Sequence, residues 1–534
     1  MKLLAANLSM PFNADESTIR LLINADTRVP QEDIQNIRIV RRSLDARDKN
    51  DIRFIYSATF EISERDYNRY YPKFAKTVTR APEKPVIAEV VGDVPQPSPV
   101  VVVGAGPAGL FAAHTLAERG YKVIMIDRGS SIDKRRKDVD AFWTEAKLDT
   151  ESNIMFGEGG AGTFSDGKLT TRIKDARADV VVDTLVSFGA PERIAVDAKP
   201  HVGTDVLRKV VFNMRKAIEA AGGEVRFNTK LTDILSSDGR LTGVIVNGNE
   251  KIECCAVVLA LGQAARDTYR MLFDRGVEII AKPFAVGVRI EHPQSLINRA
   301  QFGKFAGHPR LGAAEYRLTG RSGSRGVYTF CMCPGGFVVA SSSNEGEVVT
   351  NGMSYAARNA ANANSGIIVQ VNPQDLGGAP FSGVEFQERM ERAAFKLGGG
   401  DYSAPAERVA DFMAGAEPQA FSGVLPSYRP QAVPRDLRKC LPGTVYRGIK
   451  DGIAAFGKQL HGFDMGDAVL TAVESRTSAP VRIKRDDNGE STRLKGLYPV
   501  GEGAGYAGGI VSAAVDGMRA AERIIAAYKP AERV

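Results

Sequence analysis

The chain has 534 residues, 43% hydrophobic and 25% charged, the balance of an ordinary globular protein with room for roughly two to four domains. No apolar run approaches the ~20 residues that span a bilayer, and five cysteines in a chain of this length do not make a disulfide framework. A net charge of +7 suits an anionic substrate or RNA no better than it suits a plain solvated surface.

The start, MKLLAANLSMPFNADES, has one lysine and a short apolar stretch, without the h-region or cleavage site of a signal peptide. With the odd cysteine count, this points to the cytoplasm. Residues 1–63 read as a small α+β module of ferredoxin-like type. Strands are expected over Leu3–Met10, Ile37–Arg42 and Ile52–Ile62, and a helix over Asp15–Ala25. The charged run RRSLDARDKND, 41–51, reads as a solvated hairpin tip, with the alternative that Arg41, Arg42 and Arg47 reach over a bound anion. Residues 64–99 read as a connector: Tyr67, Tyr70 and Tyr71 pack it down, and Pro82, Pro85, Pro95, Pro97 and Pro99 stiffen its end.

Residues 100–127, VVVVGAGPAGLFAAHTLAERGYKVIMID, carry the strongest signal. An apolar strand runs into Gly104-Ala105-Gly106-Pro107-Ala108-Gly109, then a helix to Gly120, then a strand ending in Asp127. This is a strand–turn–helix–strand unit for a dinucleotide. Gly104 makes the tight turn, Gly106 lets backbone approach a pyrophosphate, and Gly109 lets helix and strand pack closely. The helix N-terminus offers unpaired N–H groups to phosphate. Asp127 is placed to accept from a ribose diol, with Arg128 beside it.

A basic stretch follows, Lys134 to Lys137, read as a solvated helix face. Then comes FGEGGAGTFSDGKL, 156–169, with five glycines in 14 positions. Such a loop lies against a ligand or bends sharply, and clustered N–H groups bind anions. Its Gly159, Gly160, Gly162, Thr163, Phe164, Ser165, Asp166 and Lys168 are candidate cofactor contacts. Thr204 reads as the cap of a helix over Asp205–Ala221, followed by a strand over Glu224–Thr229. Leu241–Val246 and Lys251–Leu259 read as a hairpin around Asn247-Gly248. Leu231 and the strand end Ala260-Leu261-Gly262 join the candidate contacts.

From 283 to 480 short alternating segments dominate, and this stretch reads as a mostly antiparallel cap or substrate domain. Residues 100–282 and 481–534 read as two parts of one Rossmann-like domain. The second part holds a strand over Gly496–Pro499, the turn GEGAGYAGGI and a helix from Ile510. No second glycine fingerprint has a strand before it; Leu397-Gly398-Gly399-Gly400 lacks one. Cys331-Met332-Cys333 in a predicted strand places both sulfurs on one face. They read as two buried thiols, with a redox pair as the sharper alternative. Cys254 and Cys255 read as core, and no Cys/His spacing makes a metal site. Arg289 and His292 end a cap strand; His292 is a candidate proton carrier or a satisfied structural histidine. Arg358, Asn362, Asn364 and Arg476 are candidate substrate contacts, or surface ion pairs.

Together the glycine fingerprint, the internal glycine loop, the Ala-Leu-Gly strand end and the C-terminal Gly-Glu…Gly-Gly-helix resemble the FAD domain of the glutathione-reductase-like flavoproteins, with its β-meander. The resemblance implies that Asp127 holds the adenosine ribose, where that superfamily more often has Glu. It implies that Gly501 and Glu502 hold the ribityl and pyrophosphate, and that Gly508, Gly509 and Ile510 aim a helix at the flavin. More closely, RRSLDAR, GEGGAGTFSDGKL, YTFCMCPGG, NGMSYAARNAANANSG and ESRTSAPVRI resemble a group of bacterial FAD-dependent dehydrogenases without an assigned substrate, over nearly the whole chain. The expectation is an FAD-dependent oxidoreductase that passes a hydride through flavin N5 to or from a small or medium anionic substrate, with NAD(P)H as a transient donor. The alternatives are a flavin-dependent tRNA-modifying enzyme, which the dispersed basic residues disfavour, and a non-catalytic FAD-bound sensor. The sequence fixes no oligomeric state.

Overall fold

The structure, a computed structural model, describes residues 1–82 and 90–530; Pro85 of the expected connector lies outside them. The N-terminal module contains β1 (Lys2–Pro11), α1 (Thr18–Thr27), β2 (Gln35–Asp45), β3 (Arg53–Glu61), α2 (Glu64–Tyr70) and β4 (Val78–Arg80). The sheet order is β2-β3-β1-β4, antiparallel throughout, a split βαββαβ arrangement. Leu3, Ala5, Leu8 and Met10 all face the core although their spacing is not strictly alternate. A register shift between Ala5 and Leu8, with Asn7 at φ +61°, absorbs the extra residue and keeps the apolar side inward.

Residues 64–80 are therefore part of this module, where the sequence reading made them connector. Ser63 caps α2 by accepting from the Asp66 N–H at 3.0 Å, and a three-residue strand is too brief to show a period. α1 starts at Thr18, later than expected, because the Asp15 carboxylate accepts from the Ser17 N–H at 2.8 Å in a turn before it. The RRSLD run is strand, the end of β2, and only the residues after Asp45 form the exposed tip. Arg42 reaches Asp197 at 2.7 Å and Arg47 pairs with Asp45 at 2.6 Å, so neither extends over a ligand.

The second unit contains β5 (Val100–Val103), α3 (Pro107–Glu118), β6 (Val123–Ile126), α4 (Ile132–Glu145), α5 (Arg177–Ser187), α6 (Thr204–Ala220), β7 (Glu224–Arg226), β8 (Leu231–Ser237), β9 (Arg240–Val246), β10 (Glu250–Glu253) and β11 (Ala256–Leu259). A parallel sheet runs Leu497–Pro499, β11, β5, β6, β7. All four valines of β5 are buried, because helices cover one face and the antiparallel meander β8–β10 covers the other. The expected strand Lys251–Leu259 breaks at Cys254–Cys255. Its first half pairs with β9 and its second enters the parallel sheet. Thr204 begins α6 after Gly203, and its hydroxyl donates to the Thr163 carbonyl at 2.5 Å instead of capping.

The cap is a seven-stranded sheet in the order Thr319–Ser322, Arg325–Cys333, Asn362–Val371, Phe284–Pro293, Val469–Glu474, Ala404–Arg408, Ala432–Pro434. Helix Gly443–Gln459 packs on it through Ile449, Ile453 and Phe456. Among the described residues no helix is long and apolar enough to cross a membrane.

Arg135 corrects the reading of Lys134–Lys137 as a solvated face. It is fully buried on α4. Its guanidinium donates to the carbonyls of Asn153 at 2.8 Å, Ile154 at 2.6 Å and Glu158 at 2.6 Å. It also stands 4.8 Å from the centre of the Phe164 ring. Residues 150–160 have no ladder of their own, so their buried carbonyls need an outside donor. Burial draws this guanidinium down to about 10, which leaves it charged at neutral pH. Arg135→Met should lower unfolding free energy by at least about 3 kcal/mol in denaturant titration, since hydrogen bonds to a charged donor contribute roughly 1.5–3 kcal/mol each.

Candidate functional site

A cavity of about 400 Å³ lies beyond the C-terminal ends of the parallel strands, between that sheet and the cap. That is where open α/β sheets bind ligands, and the volume is in the usual range of roughly 300–1,000 Å³.

One end is built on the β5–α3 turn. Gly104 sits at φ +104°, and a Cβ there would lie 2.3 Å from the Ala260 carbonyl oxygen. A Cβ on Gly109 would lie 1.8 Å from the Gly104 carbonyl oxygen. Backbone therefore packs on backbone, and Gly106 precedes α3 with Pro107 in its first turn. The Asp127 carboxylate is buried and accepts from the N–H groups of Ala105 and Gly129, both at 2.8 Å. Each oxygen keeps a lone pair for a diol. Arg128 lies over the Phe156 ring at 4.3 Å and is held by Glu151 and Asp267. Leu231 lines this end as well.

The middle is framed by two turns. Gly262 and Gly503 approach so closely that a Cβ on Gly503 would lie 2.3 Å from the Gly262 carbonyl oxygen. The Tyr269 hydroxyl reaches both their carbonyl oxygens, at 3.0 and 2.8 Å. Helix Ile510–Ala527 starts after Gly509 and directs its N-terminus at the cavity, which Gly508, Gly509 and Ile510 line. Gly501 and Glu502 line it too. Burial raises the Glu502 carboxyl to about 7, against the pull of Lys282.

From the internal glycine loop, Gly160, Gly162, Ser165, Asp166 and Lys168 line the cavity. Ala105, Gly109, Gly159, Thr163 and Phe164 stand behind the wall: Phe164 is fully buried between Arg135 and Arg208, and Thr163 is locked to Thr204. The Lys168 amino group donates to the Met332 carbonyl, across to the cap.

The cap contributes Cys331, Asn351, Glu474 and Arg476 among others. Arg476 pairs with Glu391 at 2.8 Å and Glu347 at 3.0 Å, and Arg266 joins the same cluster at 2.8 Å from Glu391. Arg289 is fully buried behind Glu474, 2.6 Å away, and donates to the Cys331 carbonyl at 2.9 Å. It positions groups and does not reach the cavity.

Several expected site residues are structural. His292 is fully buried and remote from the cavity wall, donating through Nε2 to the Phe463 carbonyl at 2.6 Å; burial draws it down to about 4. Arg358 is spent on Asp166 at 2.9 Å, Asn362 on Glu291 at 3.0 Å, and Asn364 accepts from Arg289 at 3.0 Å. None of the three lines the cavity. Sequence reasoning missed Asn351 and Glu474. Glu474 opens ESRTSAPVRI and Asn351 opens NGMSYAARNAANANSG, so both signals lay at the edge of stretches already singled out.

Comparison with known proteins agrees with this geometry. Residues 283–477 match the family described as FAD-dependent protein, C-terminal domain-like, and residues 97–137 match an FAD binding domain. Residues 3–61 match a domain of unknown function. An uncharacterised protein of Clostridium beijerinckii is 48% identical over 530 residues, covering 97% of this chain and 98% of its own. The digeranylgeranylglycerophospholipid reductase of Haloferax volcanii is 28% identical over 168 residues, 31% of this chain and 36% of its own. Among solved structures, glycine oxidase from Geobacillus kaustophilus aligns at 11% identity over 80% of this chain and 95% of its own, with a TM-score of 0.35. The glycine turn with no room for a Cβ, the buried acid at the end of β6 and the second helix N-terminus fit an FAD. The chain is a flavoprotein of mixed α/β fold and belongs to one family with the Clostridium beijerinckii protein.

Proposed function

We propose that the protein is an oxidoreductase that moves a hydride through N5 of its flavin, to or from a small or medium anionic substrate. The observation that carries the reading is one cavity lined by the β5–α3 turn, by the turn before Ile510, by Lys168 and, from the cap, by Arg476. Bound FAD supplies a two-electron acceptor whose reduced form gathers negative charge at its pyrimidine edge. Asp127 would hold the adenosine ribose, and the N-terminus of α3 the pyrophosphate. Glu502 would face the ribityl hydroxyls, and the N-terminus of helix Ile510–Ala527 would stabilise charge at the pyrimidine edge.

The anionic preference rests on Lys168. Its neighbour Asp166, 3.9 Å away, is already held by Arg358, so the ammonium charge remains for a ligand. Arg476 offers an edge whose charge Glu391 matches. Leu397 to Gly400 end a helix and open no dinucleotide turn, which supports NAD(P)H as a passing donor without a domain of its own.

Two outcomes test this reading, and a third tests the buried Glu502 beside it. Anaerobic holoenzyme with NAD(P)H and a panel of hydroxy and amino acids should lose its flavin absorbance with at least one of them; a flavin that dithionite bleaches but no such donor does would overturn it. Gly109→Ala should weaken FAD retention at least about tenfold by gel filtration and absorbance, because the new methyl meets the Gly104 carbonyl. The Glu502 carboxyl, raised from 4.5 to about 7, binds its proton more tightly folded than unfolded. Its contribution to apoprotein stability is present below pH 4.5 and is lost as pH rises to about 7. Glu502→Gln should flatten that part of the stability profile measured by thermal unfolding.

A further inference from the structure

The cap brings a pair of thiols to the flavin end of the cavity. Strand Arg325–Cys333 pairs with Asn362–Val371, with Phe330 opposite Gly366 and Cys333 opposite Asn364. Three steps on one strand oppose two on the other, so Cys331 and Met332 form a bulge. Cys331 sits at φ +43°, a left-handed conformation that costs a residue with a side chain about 1 kcal/mol or more. Both carbonyls of the bulge are tied down, that of Cys331 by Arg289 and that of Met332 by Lys168.

The bulge changes what the pair can do. In a regular strand, residues two apart hold their Cα atoms about 6.6 Å from one another, near the outer limit for a disulfide. Here the chain curls. The Cys333 thiol donates to the Cys331 carbonyl oxygen at 3.3 Å. Cys331 lines the cavity and Cys333 is buried behind it. Charge on Cys331 is felt at Glu502, across the cavity, and at Glu474. The other three cysteines, Cys254, Cys255 and Cys440, are buried in the cores and line no part of the cavity.

We infer that Cys331 and Cys333 are a dithiol that exchanges an electron pair with the flavin, a two-electron store beside it. This rests on the cavity holding the flavin as proposed above. In the oxidising direction an S–S bond forms between the Cys331 thiolate and the Cys333 sulfur, and the electron pair and the Cys333 proton pass to oxidised flavin. In the reverse direction the reduced flavin returns one pair and one proton, the S–S bond breaks, Cys331 leaves as thiolate and Cys333 takes the proton. The electrostatics favour this division of roles. The neighbouring Cys333 thiol, with the Arg289 and Lys168 charges, draws the Cys331 thiol down, while Cys333 is pushed up. Burial pushes Cys254 and Cys440 up to about 12.

The test is a reductive titration of air-oxidised holoenzyme with dithionite under argon, with alkylation and peptide mapping of both end states. Wild type should consume two electron pairs per flavin before complete bleaching. Cys331→Ser and Cys333→Ser should each consume one. Cys331 and Cys333 should resist alkylation in the unfolded oxidised sample and both react in the reduced one. Complete bleaching of wild type by one pair, with both cysteines alkylated from the oxidised sample, overturns the dithiol and leaves the flavin reading standing. A protein that retains no flavin overturns both. Where a serine variant fails to fold, mapping of the wild-type protein decides alone.

Discussion

Two helices far apart in sequence touch with almost nothing between them. A Cβ on Gly517, in the last helix, would lie 2.0 Å from the carbonyl oxygen of Ala108 in α3. This contact of backbone on backbone depends on small residues along both helices, and everything else in the cofactor site follows from it. It sets the two helix N-termini side by side over one cavity. It also holds Leu497–Pro499 in the parallel sheet, beside β11, so that Gly501–Gly503 lies against Gly262. Dispersion between close atoms is small per pair, but a void here would forfeit it along the whole seam.

The cap follows a different rule. Two buried arginines of the cap and one that reaches it from the Rossmann-like domain each have a carboxylate: Arg289 with Glu474, and Arg476 and the domain's Arg266 sharing Glu391. Removing one member of such a set strands a charge, at about 3–5 kcal/mol. These residues are therefore frozen as scaffolding. Lys168, Glu502, Asn351 and Cys331 line the cavity without being committed to such a pair.

What the sequence made legible was local. Gly104, Gly106, Gly109 and Asp127 fall within one short segment, so their spacing carries the geometry. The Ile510 helix and its glycines were readable for the same reason. Arg135 was not, because a buried arginine that serves loop carbonyls looks like its solvated neighbours in a basic run. His292, Arg358, Asn362 and Asn364 looked chemical because of their side chains, yet each is consumed by a tertiary partner that no spacing reveals. α2 and β4 were hidden by a connector-like composition, and the break at Cys254–Cys255 by an apolar run from Cys254 to Leu259 that does not mark the change of sheet.

The split construction of the parallel sheet has a consequence for biosynthesis. The strand Leu497–Pro499 and the helix that follows leave the ribosome after the rest of the parallel sheet and after the cap. Until they emerge, β11 has an open edge and α3 a bare strip of alanine and glycine. A nascent chain can complete its N-terminal module and begin its cap while the cofactor cradle still lacks one side. The cradle is complete only once residues 497–527 are in place, and a product truncated before residue 497 would present an exposed apolar seam to chaperones and proteases.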